Sequence, residues 1–490
     1  MKLLNNILLI SCLLFALSGC MDELDKDPIG LLTQEQVDTV LTRETLESAV
    51  QYSYQPLCNT LNAVLSGWPW DKGAVFRNDI ILQDIASNDI NKKWSADGDQ
   101  AWMDELSDFS FTSENQAFLG IWIYDYEGIN RVNLAISCLA EKDVSSTGIS
   151  DTEKNQMLGE LYFLRAFYYF DLVNNFGDVP LIIAPLTSYE EAQNAPIREK
   201  ASVVWEQISK DLTAAHAVIA EGKYPLSDEK WRVSEGAIIA MQAKVALYNS
   251  EWQKVIDYIA ELDALGYYSL NSNYFDSFDA DKEFTEDENI FVYDHRSNET
   301  PTNDNGLKSV AGWGFFAPTD DFVAAFETND PRLEYTVDID NKMPRKIIGS
   351  LSDRIDYGNH IYIRYADVLL WKAEALNESG DSPGAVAIIN QIRARVRDGV
   401  TVDGSAVPTG TLPDRSTTAD KAQVTEWIQS ERRVELGFES HRFNDLKRWG
   451  IAKEVLTDLG KTFKDCHYLY PIPQIDIDRS KGSLTQNDGY

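Results

Sequence analysis

The chain has 490 residues, with 78 acidic and 44 basic side chains and a formal net charge of -34 at pH 7. That balance excludes a nucleic-acid binder or an adhesive for anionic membranes, because both tasks need Lys and Arg to meet phosphate. Hydrophobic residues at 44% and aromatics at 11% exclude a disordered chain and provide for a large core.

The N-terminus comes first. Met1-Lys2 supplies a positive start, Leu3 to Leu17 is mostly Leu, Ile, Phe and Ala, and Leu17-Ser18-Gly19-Cys20 follows. A short apolar core ahead of small residues is an export signal, too short for a transmembrane helix. The four-residue end resembles the lipobox of bacterial lipoproteins. That resemblance implies cleavage after residue 19, a diacylglycerol on the Cys20 thiol and an acylated amine. Several chains would anchor a soluble body, since each buried methylene contributes about 0.8 kcal/mol. The acidic segment Met21 to Pro28 reads as a solvated tether and resembles the surface-export signal of Bacteroidetes lipoproteins. Beyond the signal and the anchor, Cys58, Cys138 and Cys466 remain. An odd number with no CxxC spacing is neither a disulfide framework nor a zinc site, so buried thiols are expected.

A tether and a first helix are expected over 20–57, then an irregular stretch over 58–120. Apolar residues at helical spacing predict eight helices, near 127–141, 153–175, 201–221, 233–249, 251–265, 361–379, 383–397 and 421–449. Short polar breaks join them, such as "YNSEW" and "ESGDSPG", with Pro383 suited to a first helical turn. Small Ala residues on the packing faces fit a tetratricopeptide-like plan of about four helix pairs. A plain helical bundle shares those features. Residues 266–358 break the periodicity with Asn, Asp, Gly, Pro and aromatics, which reads as loops with short strands. The fold class is therefore mostly α, a helical-repeat scaffold carrying a loop-rich subdomain with small strands. Its parts are expected at 1–19, 20–57, 58–265, 266–360 and 361–490.

Candidate chemistry is sparse. GxSxG, HExxH and phosphate-loop motifs are absent, and His216, His295, His360, His441 and His467 are scattered. No catalytic residue, metal site or cofactor is assigned. Glu431, Arg432, Arg433, Glu435, Glu439, Arg442, Asp445 and Arg448 alternate in sign at helical spacing, which reads as structural pairing along one charged helix. Trp427, Val434, Phe438, Leu446 and Trp449 form its apolar side. Trp122, Trp205, Trp252 and Trp371 lie in helical patterns and read as core. Aromatic rings in the loops point to ligand contact, because sugars present flat C–H faces that pack on rings while polar groups bind the hydroxyls. The candidates are Trp68, Trp70, Trp94, Tyr293, Asp294, Arg296, Trp313 and Phe315. They place a ligand face on 58–120 and 266–330, away from the charged C-terminal helix.

Several segments, in order, resemble the SusD/RagB family of outer-membrane lipoproteins. These are the lipobox with "MDELDKDP", "DIASND", "YEGINRVNLAI", "ELYFLRAFYYFDLVNNFGDVPL", "APTDDFVAAFETNDPR", "IYIRYADVLLWKAEALNE", "INQIRARV" and "ERRVELGFESHRFNDLKRWG". The resemblance runs from Cys20 to about Pro473 and is weakest over 266–310. It implies an outward-facing lipoprotein that binds glycans or another nutrient without catalysis. It also implies a partner, a SusC-like TonB-dependent barrel that receives the ligand. A lipid-anchored polysaccharide hydrolase and a protein-only tetratricopeptide scaffold are the alternatives.

Overall fold

The computed structural model describes residues 41–57, 64, 77, 79–93, 98–115, 117–186, 197–226, 229–293, 315–348, 351 and 360–490. The signal, Cys20, the tether and Cys58 lie outside the described residues. The first helix, α1 (Arg43–Tyr54), starts where Thr42 and Thr45 cap each other reciprocally, and it buries Leu46, Ala49, Val50 and Tyr54 on one stripe. A short α2 (Ala101–Asp108) follows, then the long α3 (Ala117–Glu141) and α4 (Asp151–Phe176). Ser150 and Glu153 form the capping box that starts α4. The series continues with α5 (Ala201–Val218), α6 (Glu235–Tyr248) and α7 (Trp252–Leu265). After the irregular region come α8 (Tyr365–Glu378), α9 (Ser382–Asp398), α10 (Lys421–Glu435) and α11 (Arg442–Arg448).

Four pairs make up the scaffold: α1 with α3, α4 with α5, α6 with α7, and α8 with α9. Neighbouring pairs also touch, and α10 closes the stack on α8 and α9. In α6, Gly236 to Leu247 are all buried, as expected of a central helix with no solvent face. One apolar cluster runs from Leu46 to Leu484, a second joins α8, α9 and α10, and a third of Tyr274, Phe275, Phe278, Val292, Tyr335 and Ile361 underlies the irregular region. Trp371 and Trp122 are buried in the core, and Trp205 and Trp252 pack half-buried against it. Cys138 is buried and Cys466 half-buried.

Two expected helices are corrected. Residues His360–Arg364 form a strand, β6, and the helix starts at Tyr365. This apolar, β-branched run pairs antiparallel with β4 (Asn289–Tyr293), with Asn289 opposite Arg364 and Tyr293 opposite His360. Ile361 to Arg364 are all buried, so the run lacks the polar alternation that marks a half-exposed strand. The expected helix 421–449 is two helices broken at Leu436–His441. Phe438 and Ser440 adopt left-handed backbone there, with φ of 66° and 63°. A Cβ on Gly437 would lie 2.4 Å from the Phe322 ring, and Phe438 stacks on that ring at 4.6 Å. The break is thus set by a tertiary contact that helical periodicity does not report.

Three short antiparallel ribbons complete the architecture. The first pairs β1 (Ile90–Lys92) with β5 (Phe316–Pro318), the second β2 (Val179–Pro180) with β3 (Arg198–Glu199), and the third β4 with β6.

Candidate functional site

The β1/β5 ribbon joins the two irregular regions. Ile90 faces Pro318, Asn91 faces Ala317 and Lys92 faces Phe316. One step further, the Lys93 amide donates to the Phe315 carbonyl at 2.8 Å. Trp94 is the next residue after Lys93, and Trp313 precedes Phe315 by two. The two tryptophans, 219 positions apart in sequence, thus belong to the segments that border this paired end.

The candidate residues divide as follows. Trp68, Trp70, Trp94, Asp294, Arg296 and Trp313 lie outside the described residues. Tyr293 is a correction. It is 7% exposed at the end of β4, 5.4 Å from the Tyr54 ring and 5.5 Å from the Trp231 ring, so it fills the core. Both faces of β4 are covered, by the helices on one side and the third apolar cluster on the other, which loop-based reasoning does not anticipate. Phe315 is half-buried against the main core and serves the ribbon through its carbonyl.

The charged C-terminal segment meets this ribbon at its Ile90–Pro318 end, opposite to Lys93 and Phe315. The guanidinium of Arg433 donates from Nε and Nη2 to Asp89 Oδ1 at 3.0 and 2.7 Å, and from Nη2 to Asp321 Oδ2 at 2.5 Å. Asp89 immediately precedes β1, and Asp321 lies three residues past β5. Thr319 ties the strands together, its hydroxyl donating to the Asn88 carbonyl at 2.7 Å and its amide to the Asp89 carbonyl at 3.1 Å. Lys92 reaches Asp104 of α2 at 3.0 Å.

Glu431, Glu435 and Glu439 form buried tertiary pairs in place of exposed i,i+4 pairs. Glu435 accepts Arg332 and Arg364 at 2.9 Å each and Arg395 at 2.5 Å. Glu439 accepts Arg364 at 2.8 and 2.9 Å and pairs with Lys346 at 2.5 Å. Glu288 joins through Arg364 and Arg395, and Glu431 through Arg332. Lys346 sits 4.6 Å over the Phe278 ring. This network fastens the short elements of the irregular region to α10. Burial alone would raise the Glu435 carboxyl, but the fields of Arg395, Arg364 and Arg332 outweigh it and hold it well below the usual range. For Glu439, burial is likewise outweighed by Arg364 and Lys346, leaving it at about 2. Such carboxylates stay ionised at neutral pH and cannot act there as general acids.

A signal for this network does exist in the sequence. Val424, Ile428, Glu431 and Glu435 share one stripe of α10, so the two glutamates continue a core-facing row. A third buried group centres on Arg77, which contacts Asp125 and Asp171, while His360 at the start of β6 lies 3.2 Å from Asp79. Among the described residues, no group of three or more His, Cys, Asp or Glu is placed to hold a metal ion. A separate cleft of about 470 Å³ opens between α1, the start of α4 and residues 220–232. Its lining includes Glu44, Glu47, Glu153 and Glu229 but no aromatic ring, so it offers no stacking surface for a sugar.

Comparison with known proteins follows the same outline. Residues 341–490 match the family described as "SusD family", and residues 58–247 match the one described as "Starch-binding associating with outer membrane". SusD-like protein P38 of Formosa agariphila is 28% identical over 413 residues, spanning 74% of this chain and 78% of that protein. A solved SusD homolog from Bacteroides thetaiotaomicron superposes with a TM-score of 0.75 at 20% identity, over 94% of this chain and 99% of that one. A laminarin-binding SusD-like protein gives 0.71 at 24% identity, over 92% of this chain and all of that one.

Proposed function

Because the chain belongs to the SusD/RagB family, we propose that it is a lipoprotein of the outer-membrane surface that binds glycans and passes them to a SusC-like TonB-dependent transporter. The observation that carries the glycan reading is the β1/β5 ribbon. Its end at Lys93 and Phe315 borders the segments whose sequence contains Trp94 and Trp313. Aromatic rings supply a sugar with stacking surface at low entropic cost. Neutral glycans also suit an acidic protein, since their binding needs no basic patch. Two of the matched descriptions point the same way, one family being called starch-binding and one solved relative laminarin-binding.

Attachment to the membrane is assigned to Cys20, and the acidic tether spaces the body from the bilayer. Among the described residues no helix is long and apolar enough to cross a membrane. The mature protein acts by binding alone, with no turnover of the glycan. The test is a calorimetric screen of residues 21–490 against laminarin and starch oligosaccharides, paired with a reducing-sugar assay. Binding without sugar release is expected. Release that disappears on replacing a specific Asp/Glu pair would move the protein to the hydrolase reading. In cells, Cys20→Ala is expected to leave the membrane fraction, and its retention after a carbonate wash would overturn the anchor.

A further inference from the structure

We infer that Asp84 is held as a neutral carboxylic acid whose proton joins it to Asp89, so that one buried proton locks the turn before β1 to the break between α10 and α11. The inference needs no ligand and stands apart from the glycan reading.

Two stretches of sequence meet at this point, "DIASND" and "ESHRFND". The Ser440 amide donates to Asp84 Oδ2 at 3.0 Å, and the Asn444 amide donates to Gln83 Oε1 at 2.9 Å. Within the turn, the Asp89 amide donates to the Asp84 carbonyl at 3.1 Å, which ties the two aspartates together through the backbone. Neither aspartate has exposed surface. Asp89 receives both of its Arg433 contacts on Oδ1. The second oxygen of each residue, Asp84 Oδ1 and Asp89 Oδ2, is buried and meets no donor.

Ionised carboxylates only accept hydrogen bonds, so two such oxygens cannot satisfy one another. A proton on Asp84 Oδ1 turns one acceptor into a donor for the other. It also removes the desolvation cost of a buried charge that has a single neutral donor. Burial, then the charges of Asp89, Asp79 and Glu439, push the Asp84 carboxyl well above the usual range, against the one amide bond from Ser440. The cations of the neighbourhood favour Asp89 as the ionised member. Arg433 of α10 bridges Asp89 and Asp321, and Arg442 of α11 feels Asp89 more strongly than any other charge. The junction is thereby sensitive to pH. Loss of the proton sets a bare charge against three acidic neighbours and loosens the turn from the helix break.

The test compares wild type with Asp84→Asn and Asp84→Ala in residues 21–490. An Asn amide keeps an acceptor for Ser440 and supplies an N–H in place of the acid O–H. Above about pH 4 the unfolded wild-type chain releases the Asp84 proton while the fold keeps it. Its folding constant should therefore fall about tenfold per pH unit relative to Asp84→Asn until the folded group itself ionises. Chemical denaturation between about pH 5 and 8 is expected to show Asp84→Asn gaining on wild type as pH rises. Asp84→Ala, which has neither donor nor acceptor, is expected to stay below Asp84→Asn throughout. Infrared difference spectroscopy at neutral pH gives a direct readout: wild type minus Asp84→Asn is expected to show the carbonyl stretch of a protonated carboxylic acid. Other buried carboxyls, Asp125 and Asp171 among them, occur in both proteins and cancel. Absence of that band, or parallel pH dependence of the two proteins, would overturn the inference. Equal stability of Asp84→Ala and Asp84→Asn would overturn the shared proton.

Discussion

At Glu435 a carboxylate with no exposed surface receives Arg332, Arg364 and Arg395. Glu435→Ala leaves those cations buried with too little counter-charge, so it is expected to cost about 3–5 kcal/mol, read by chemical denaturation. Trp449, expected on the apolar side of the charged helix, is only partly covered. It is half-buried at the end of α11 and its Nε1–H donates to Glu374 at 3.1 Å. Trp449→Ala is therefore expected to cost about 1–2 kcal/mol, less than a fully buried aromatic. His441 gives a pH signature. Burial lowers its pKa to about 4, although Asp367 lies 3.5 Å away, with Lys244, Glu439 and Arg432 as further charges. The unfolded value is about 6.5, so between pH 6.5 and 4 the unfolded chain takes up a proton that the fold does not. Stability falls as pH drops through that window and levels off below it, with this residue contributing about 3 kcal/mol. Several buried carboxyls, Asp84 among them, are raised by burial and act in the opposite sense. The measurement is therefore the difference between wild type and His441→Gln, and the expected result is a shallower loss in the variant across that window.

At the scale of elements, the helices were legible because their period and caps are local. Ser150 with Glu153 caps the start of α4, and Asp381 ahead of Pro383 caps α9, each through residues within three positions of the helix start. The breaks were less legible because their causes are distant in sequence. His360–Arg364 is a strand because β4 lies beside it, and α10 ends at Leu436 because Phe322 packs against Gly437. Gly437→Ala would force its new methyl group into that ring. About 1–3 kcal/mol of destabilisation is expected by thermal melting, as is typical of overpacking. Since Phe322 follows β5 by four residues, the same variant is expected to loosen the ribbon in hydrogen exchange. Wild-type melting would mean that Phe322 moves aside freely.

For the whole molecule, the division between a packed helical frame and irregular segments is readable from where periodicity stops, at 58–120 and 266–358. Their meeting was not readable, because Lys93 and Phe315 are joined by a bond between residues more than two hundred positions apart. The charged C-terminal motif was read as structural, but its partners lie across the fold. No i,i+4 pattern contains the information that Arg433 faces Asp89 and Asp321. Tyr293 was misplaced for the related reason that its strand is covered on both faces. We propose that the segments bordering the ribbon's Lys93–Phe315 end carry the glycan site, and paired calorimetry and thermal melting test this most directly. With residues 21–490 and the oligosaccharide bound best in the screen, Trp94→Ala and Trp313→Ala are each expected to weaken binding by about 1–3 kcal/mol, with the melting temperature nearly unchanged. Normal binding by both variants, together with loss of binding in a folded variant remote from the ribbon, would contradict it.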